Sequence, residues 1–228
     1  MPRQPRLLLA RSYYHIMNRG NNRAVVFQDP EDYEYYLWLV GRFKDLHPVD
    51  IFHYCLMPNH VHLLIRTKTT PDFAEFMKKT NLAYYHYIHR KYDFVGRLWQ
   101  GRFKSQPVGH DEYFIHCGKY IEQNPVRAGL VILPEEYTYS SYRHYVYGLA
   151  DSLITDDWVF ESLGDTPKER SAEYHSFICD SVVTDTYGKQ IWGTPPERYN
   201  EAQKVLKVLK RAEDRRRSQS VSENPVQK

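Results

Sequence analysis

Cysteine is scarce in this chain. Cys55, Cys117 and Cys179 are the whole set among 228 residues; they are odd in number, far apart, and none forms a CxxC pair. That spacing excludes a disulfide framework and a zinc knuckle, and leaves reduced thiols in a reducing compartment. Long apolar runs are also missing. No stretch approaches the roughly 18 apolar residues that a membrane helix needs. The brief run Leu7-Leu8-Leu9 is too short for a signal peptide, and no small-residue cleavage site follows it. The expectation is a soluble, cytoplasmic protein without a membrane partner. A strong charge bias is absent too: 31 Lys and Arg stand against 28 Asp and Glu, a net +3, so the total says little about partners. No internal repeat is visible. What remains is a chain long enough for one ordinary domain plus an extension, able to bury a core without disulfide support.

What is present is a distribution. Arg90, Lys91, Arg97, Arg102 and Lys104 crowd one stretch against Asp93 alone, with Tyr92, Phe94, Trp99 and Phe103 between them. A second stretch, 204–217, carries seven basic residues against Glu213 and Asp214. Basic stripes with interleaved aromatics suit a phosphate backbone with exposed bases. The chain also holds 20 tyrosines, most of which must be packing residues with a polar tip.

The rest of the chain is organised around Ile51–Thr67, IFHYCLMPNHVHLLIRT. Two apolar runs flank the turn-like Met57-Pro58-Asn59, which predicts two antiparallel strands. In the second, Val61, Leu63 and Ile65 share one face, and His60, His62 and Leu64 the other. Arg11–Asn18 reads as an earlier strand, followed by the turn residues and charges of Arg19-Gly20-Asn21-Asn22-Arg23; Val25-Val26-Phe27 reads as a short strand. Asp29-Pro30 starts a helix to about Leu46, and Pro71 opens another to about Tyr92. Gly96–Val108 reads as a loop and a strand, and Asp111 as the cap of a helix to about Gln123. Asn124-Pro125 stops that helix or starts a short one over Val126–Leu130. The aromatic segment Glu135–Tyr147 is expected to pack back on the domain. The order predicts an α+β, ferredoxin-like sandwich: an antiparallel sheet with helices on one face, plus a helical C-terminal extension. The expected domains are 1–150, a basic helical extension over 151–217 with helices around Lys168–Cys179 and Glu197–Arg217, and a disordered tail over 218–228.

Two histidines at i, i+2 on a strand project the same way and make a rigid platform for a divalent metal, or they are two ordinary half-exposed histidines. Tyr120 and Asn124, four apart, share a helix face if the helix continues. Asn124 could lend an amide oxygen to Mg²⁺ or Mn²⁺, hard cations that favour oxygen and tolerate imidazole. Tyr120 could then attack a polarised phosphorus atom. On spacing alone the plainer account, a core tyrosine and a capping asparagine, has the better claim.

Four blocks change that balance. Tyr14-His15-Ile16 with Asn18-Arg19-Gly20, then Pro58-Asn59-His60-Val61-His62-Leu63, then LWQGRFKS at 98–105, and finally KYIEQNPVRAGL at 119–130 occur in that order. The His-hydrophobic-His block resembles that of HUH endonucleases, and the set resembles the REP-associated tyrosine transposases, single-tyrosine relatives of the transposases of the smallest bacterial insertion sequences. The resemblance covers roughly residues 5–147.

The resemblance implies an enzyme that binds and nicks single-stranded DNA beside the imperfect hairpins of repetitive extragenic palindromes. By that analogy His60 and His62 hold Mg²⁺ or Mn²⁺ and serve catalysis. Tyr120 is the nucleophile, joined to a 5′ phosphate and leaving a 3′ hydroxyl. Asn124 corresponds to the third metal ligand, which is commonly Gln in the relatives; Gln123 is the alternative. The DNA-contacting set is Arg19, Arg23, Arg97, Trp99, Gln100, Arg102, Lys104 and Arg127. Arg97 to Lys104 alternate as a strand with one exposed face would, with Trp99 either stacking a base or turned inward. Two rivals remain: a catalytically silent hairpin-binding regulator, and an RNA-binding protein on the same scaffold. A monomer in the bacterial cytoplasm, nucleoid-associated when on DNA, completes the expectation.

Overall fold

β1 (Tyr13–Arg19) lies inside the sheet rather than at its edge. It pairs on one side with β3 (His60–Thr67) and on the other with β4 (Lys104–Val108), while β2 (Val49–Met57) pairs with β3. The order is β2-β3-β1-β4, every neighbouring pair antiparallel. With α1 (Pro30–Leu46) between β1 and β2 and α2 (Thr70–Tyr92) between β3 and β4, this is the ferredoxin-like split βαβ arrangement. The computed structural model describes residues 8–109, 112–155 and 157–181. Nearly all of these belong to a unit spanning Leu9–Thr194; a second unit, Met1–Leu8 with Pro195–Lys228, falls outside the described residues except for Leu8. The helix expected over Glu197–Arg217, the tail at 218–228 and the cap at Asp111 likewise lie outside them.

Local chemistry sets the element ends. Asp29 caps α1 in a reciprocal box with Asp32, and Pro30 occupies the first turn, a combination worth about 1 kcal/mol. Thr69 caps α2 with its side chain alone, accepting from the Asp72 amide. Lys91 at the far end of α2 then reaches Asp29, Glu31 and Asp32 at 2.8–2.9 Å, which ties the two helices end to end. Pro58 and Asn59 make the turn between β2 and β3.

Adjacent residues of β1 reveal which helix covers which face, since side chains alternate along a strand. Tyr14 stacks on Phe73 of α2 with ring centroids 6.3 Å apart, whereas His15 lies 5.7 Å from Tyr120 of α3 (Glu112–Glu122). The antiparallel α+β class is as expected. The helices, expected on one face, are divided: α1 and α2 take one, and α3 takes the other. The reason is that β2 and β3 are buried on both sides, with Leu64 and Cys55 meeting Cys117, Tyr120 and Ile121.

Two other expectations change. Val25–Phe27 is not a strand; the amides of Val26 and Phe27 donate to the Pro58 carbonyl, after a 3-10 turn at Asn21–Arg23. The alternation over Arg97–Lys104 does not make a strand before Lys104. Gly96 sits at φ +107°, and the segment bonds to the turn after β1 (Asn21 amide to Leu98 carbonyl, Gln100 amide to Arg19 carbonyl) instead of forming a ladder.

After α3 comes the single turn α4 (Asn124–Arg127), then α5 (Tyr142–Tyr147), α6 (Trp158–Glu161) and α7 (Pro167–Asp180). The 135–147 segment does pack back. Its backbone exchanges hydrogen bonds with Tyr54 and Leu56, and Tyr137 and Tyr145 donate to the carbonyls of Leu56 and Phe52. That covers the outer edge of β2, whose backbone would otherwise be open to pairing with another chain. Among the described residues no helix is long and apolar enough to cross a membrane.

Candidate active site

The register places four site groups around one end of the sheet. His62 lies opposite Met17, and His60 opposite Arg19. His60 and His62, two apart on β3, stand edge to face with ring centroids 4.8 Å apart. On β1 the same face carries His15. Its ring stacks on His62 at 5.0 Å, and its Nε2 lies 2.8 Å from His62 Nδ1. α3 lowers Tyr120 onto this group, 5.7 Å from the His15 ring and 5.8 Å from the His62 ring, edge-on to both.

Burial decides the protonation of the imidazoles. His15 is pushed down to about 3, first by desolvation and then by the charge of His60. His60 falls to about 4, by desolvation and then by the Arg19 charge. His62 is held well below its ordinary value by desolvation, then by His15, His60, Arg19 and Arg127. All three are neutral at physiological pH, so each ring offers one lone pair.

Hydrogen bonds say where those lone pairs are. Asn59 donates its amide to the Arg23 carbonyl, and its Oδ1 lies 2.5 Å from His60 Nδ1; an amide oxygen only accepts, so Nδ1 carries the proton and Nε2 the lone pair. His62 engages His15 through Nδ1, and its Nε2 is buried with no hydrogen-bond partner among the described residues. An orphaned imidazole nitrogen beside a second imidazole with an available Nε2 is the donor set that fits a divalent cation.

Asn124 follows one turn after Tyr120. Its Nδ2 donates to the carbonyls of Tyr120 (2.8 Å) and Ile121 (3.2 Å), leaving the amide oxygen as the end that can ligate. Gln123 is turned elsewhere: its amide nitrogen donates to the carbonyls of Ile178 and Ser181 at the end of α7. Arg127 places its guanidinium 4.6 Å from the Tyr120 ring centroid. A fixed positive charge thus faces the tyrosine.

The remaining cations gather around the same end of β1. Gly20 bridges to Trp99 and bonds to the Asn59 carbonyl, so the Arg19–Arg23 loop and the 97–102 segment are neighbours. Arg23, Arg97, Gln100, Arg102 and Lys104 are exposed, and Arg19 is half-buried. Trp99 departs from a base-stacking surface. Its indole nitrogen approaches the Asn81 carbonyl (3.4 Å), and its ring packs toward Tyr84 and Tyr36, because the segment folds inward instead of lying in a strand.

A second polar cluster, which sequence reasoning missed, braces α3 from behind. His53 of β2 lies 3.1 Å from Glu122 and 3.6 Å from Asp157, all three buried. Glu122 also accepts from Ser141 (2.6 Å) and Tyr174 (2.8 Å). Burial alone would lower His53, but the hydrogen bonds and charges of Asp157 and Glu122 win and raise it to about 9. Gly118 makes this contact possible: a Cβ there would meet the His53 ring at 2.6–2.9 Å. Glu122, two residues after Tyr120, was the signal in the sequence, but its partners His53, Ser141 and Tyr174 come from 69, 19 and 52 residues away.

Comparison with known proteins accords with this geometry. Residues 9–124 match the family model described as transposase IS200 like. A Haemophilus influenzae protein named as a REP-associated tyrosine transposase is 25% identical over 124 residues, covering 49% of this chain and 68% of that protein. A solved structure of a REP-associated tyrosine transposase bound to a REP hairpin superimposes with a TM-score of 0.56 at 19% identity, covering 69% of this chain and 93% of the other. That last likeness is one of fold.

Proposed function

The chain belongs to the IS200-like transposase family, and on that premise we propose that it is a metal-dependent single-stranded DNA endonuclease and strand transferase, acting at REP-type hairpins through a covalent 5′-phosphotyrosine. The observation that carries this reading is the placement of Tyr120 5.8 Å from His62, whose Nε2 is a buried nitrogen without a hydrogen-bond partner among the described residues.

His60 and His62 would hold Mg²⁺ or Mn²⁺, with the amide oxygen of Asn124 as the third ligand. When bound, the cation supplies charge that polarises the scissile phosphodiester. The Tyr120 oxygen attacks phosphorus and loses its proton. The bond to the 3′ oxygen breaks, and that oxygen takes up a proton as a free hydroxyl. The 5′ phosphate stays on the tyrosine. The reverse attack by a 3′ hydroxyl rejoins strands. Arg127 faces the tyrosine and offsets the phosphate charge as it approaches, while Arg19, Arg23, Arg97, Arg102 and Lys104 hold the backbone of the strand. The setting is the bacterial cytoplasm, with a monomer working on DNA.

Tyr120 is only 2% exposed, and this favours a second reading, a hairpin-binding regulator that does not cut. One assay separates the two. Wild type and Tyr120→Phe are incubated with labelled single-stranded hairpins from the source genome's repeats, with Mn²⁺, Mg²⁺ or EDTA, and resolved on denaturing gels. The enzyme reading requires a metal-dependent nick and a protein-linked 5′ product that vanish in Tyr120→Phe. Tight binding with no nick in either metal would establish the regulator.

A further inference from the structure

A second set of metal-ligating side chains meets away from the sheet, where α7 returns to the segment after α4. His175 and Cys179 are four residues apart on α7, so they leave the same face of the helix. Glu135 comes up to them from the 3-10 turn Pro134–Glu136. One ligand atom from each of the three lies within 4.8 Å of the other two. His175 Nδ1 and Cys179 Sγ are 3.9 Å apart. Two ligands of a tetrahedral zinc ion, with Zn–N about 2.0 Å and Zn–S about 2.3 Å, sit roughly 3.6 Å from each other. The His175–Cys179 edge is thus a few tenths of an ångström open, and Glu135, within the 4.8 Å that spans the set, closes in as the ion binds.

Glu135 supplies an independent reason to expect a cation. Its Oε2 is buried and has no hydrogen-bond partner among the described residues. A carboxylate oxygen removed from water is costly unless a donor or a positive charge meets it. The neighbouring Arg143 does not do so, because its guanidinium donates to the Glu135 backbone carbonyl instead, at 2.8 and 2.9 Å.

We propose that Glu135, His175 and Cys179 bind a divalent transition-metal ion of the Zn²⁺ class, with a fourth position open to solvent. Thiolate with imidazole selects borderline-soft ions over Mg²⁺ or Mn²⁺, so this site differs in chemistry from the His60–His62 pair. Entry is through Cys179, which is exposed. The Tyr142 hydroxyl lies 2.6 Å from His175 Nδ1 and 3.9 Å from Cys179 Sγ. It occupies the imidazole before the ion arrives, then turns to donate to the thiolate, as an outer partner orients a ligand. The consequence is mechanical. The end of α7 accepts hydrogen bonds from Lys119 and Gln123, on either side of Tyr120, so an ion that pins α7 to Glu135 stiffens the support of the helix that carries the tyrosine.

The test uses the full chain without an affinity tag, stripped with a chelator and titrated with Co²⁺ as the spectroscopic stand-in for Zn²⁺. A His60→Ala/His62→Ala background silences the other pair. The expected result is one equivalent of tetrahedral cobalt with a thiolate-to-cobalt charge-transfer band, displaced by stoichiometric Zn²⁺ and accompanied by a higher melting temperature. Cys179→Ser, a surface change that leaves the fold intact, removes the band, and Glu135→Gln weakens Co²⁺ binding at least tenfold. Absence of the band, its survival in Cys179→Ser, or unchanged affinity in Glu135→Gln overturns the assignment.

Discussion

At the scale of single residues, His15 makes the sharpest prediction. It contributes no ligand in the proposed reaction, yet its Nε2 lies 2.8 Å from His62 Nδ1, so it holds the His62 ring in orientation, and when His62 Nδ1 is the donor of that bond the Nε2 lone pair is left for the cation. Outer partners of this type are typically worth about 10–100-fold in metal affinity. His15→Leu keeps the volume roughly constant and removes the hydrogen bond. Calorimetric titration with Mn²⁺ should show affinity falling within that range, with far-UV circular dichroism unchanged. Equal affinity in the variant would mean that His15 is packing alone. His60, His62 and Tyr120 could be singled out as candidates from the sequence because a strand with period two and four ordered blocks need no long-range information, and the fold brings the three together. His15 could not, although it stood inside one of those blocks. Its role appears only when β1 pairs with β3 and puts Met17 opposite His62, and register is a tertiary fact. Trp99 takes the inward of the two positions its alternation left open; what that alternation misread is the strand, since nothing local revealed that the segment turns in toward Asn81.

At the scale of elements, α3 is held in place by a buried ion-pair network whose pH response is predictable. His53 has a folded-state value of about 9 against an ordinary 6.5. Because the folded value is the higher one, the stabilisation is fully present below about pH 6.5 and is lost as pH rises through about 9. A shift of that size corresponds to about 3 kcal/mol. The groups facing His53 are Glu122, Asp157 and the Tyr174 hydroxyl. Urea midpoints should therefore fall between pH 6.5 and 9.5 in the wild type, and that slope should flatten in His53→Gln. A wild-type midpoint that stays level across the window would count against a protonated His53. The same network makes Gly118 sensitive. Alanine favours a helix by roughly 1 kcal/mol, but its Cβ would stand 2.6 Å from His53 Nε2, and forcing a ring aside in a packed core costs about 1–3 kcal/mol. The clash wins, so Gly118→Ala should lower the melting temperature, and a rise would show that His53 moves freely. Helix starts at Asp29-Pro30 and before Pro71 were legible because capping is local. The second helical face was not, since α3's partners on β2 lie about 60 residues away.

At the scale of the whole molecule, a net charge of +3 conceals a local concentration that only the fold assembles. The order of elements sufficed to predict the sheet, because βαββαβ has few ways to close. It did not predict that the turn after β1 and the segment before β4 would meet, as they do through Gly20 and Trp99. That meeting sets Arg97, Arg102 and Lys104 on exposed ground beside the loop of Arg19 and Arg23, next to the strand end that carries His60. If these cations hold the phosphates of a single strand, each one neutralised releases condensed counterions, and the logarithm of affinity falls with the logarithm of salt by roughly 0.7 per contact. Replacing Arg97, Arg102 and Lys104 together by alanine should weaken hairpin binding at 50 mM salt. It should also reduce the salt slope by about 2, and do so equally for hairpins of unrelated sequence. Stability should change little, since none of the three is buried. Fluorescence anisotropy across a salt series measures both quantities. A slope that stays at the wild-type value would move the DNA to another surface, whereas a loss confined to one hairpin sequence would turn these residues from positioning contacts into readers of bases.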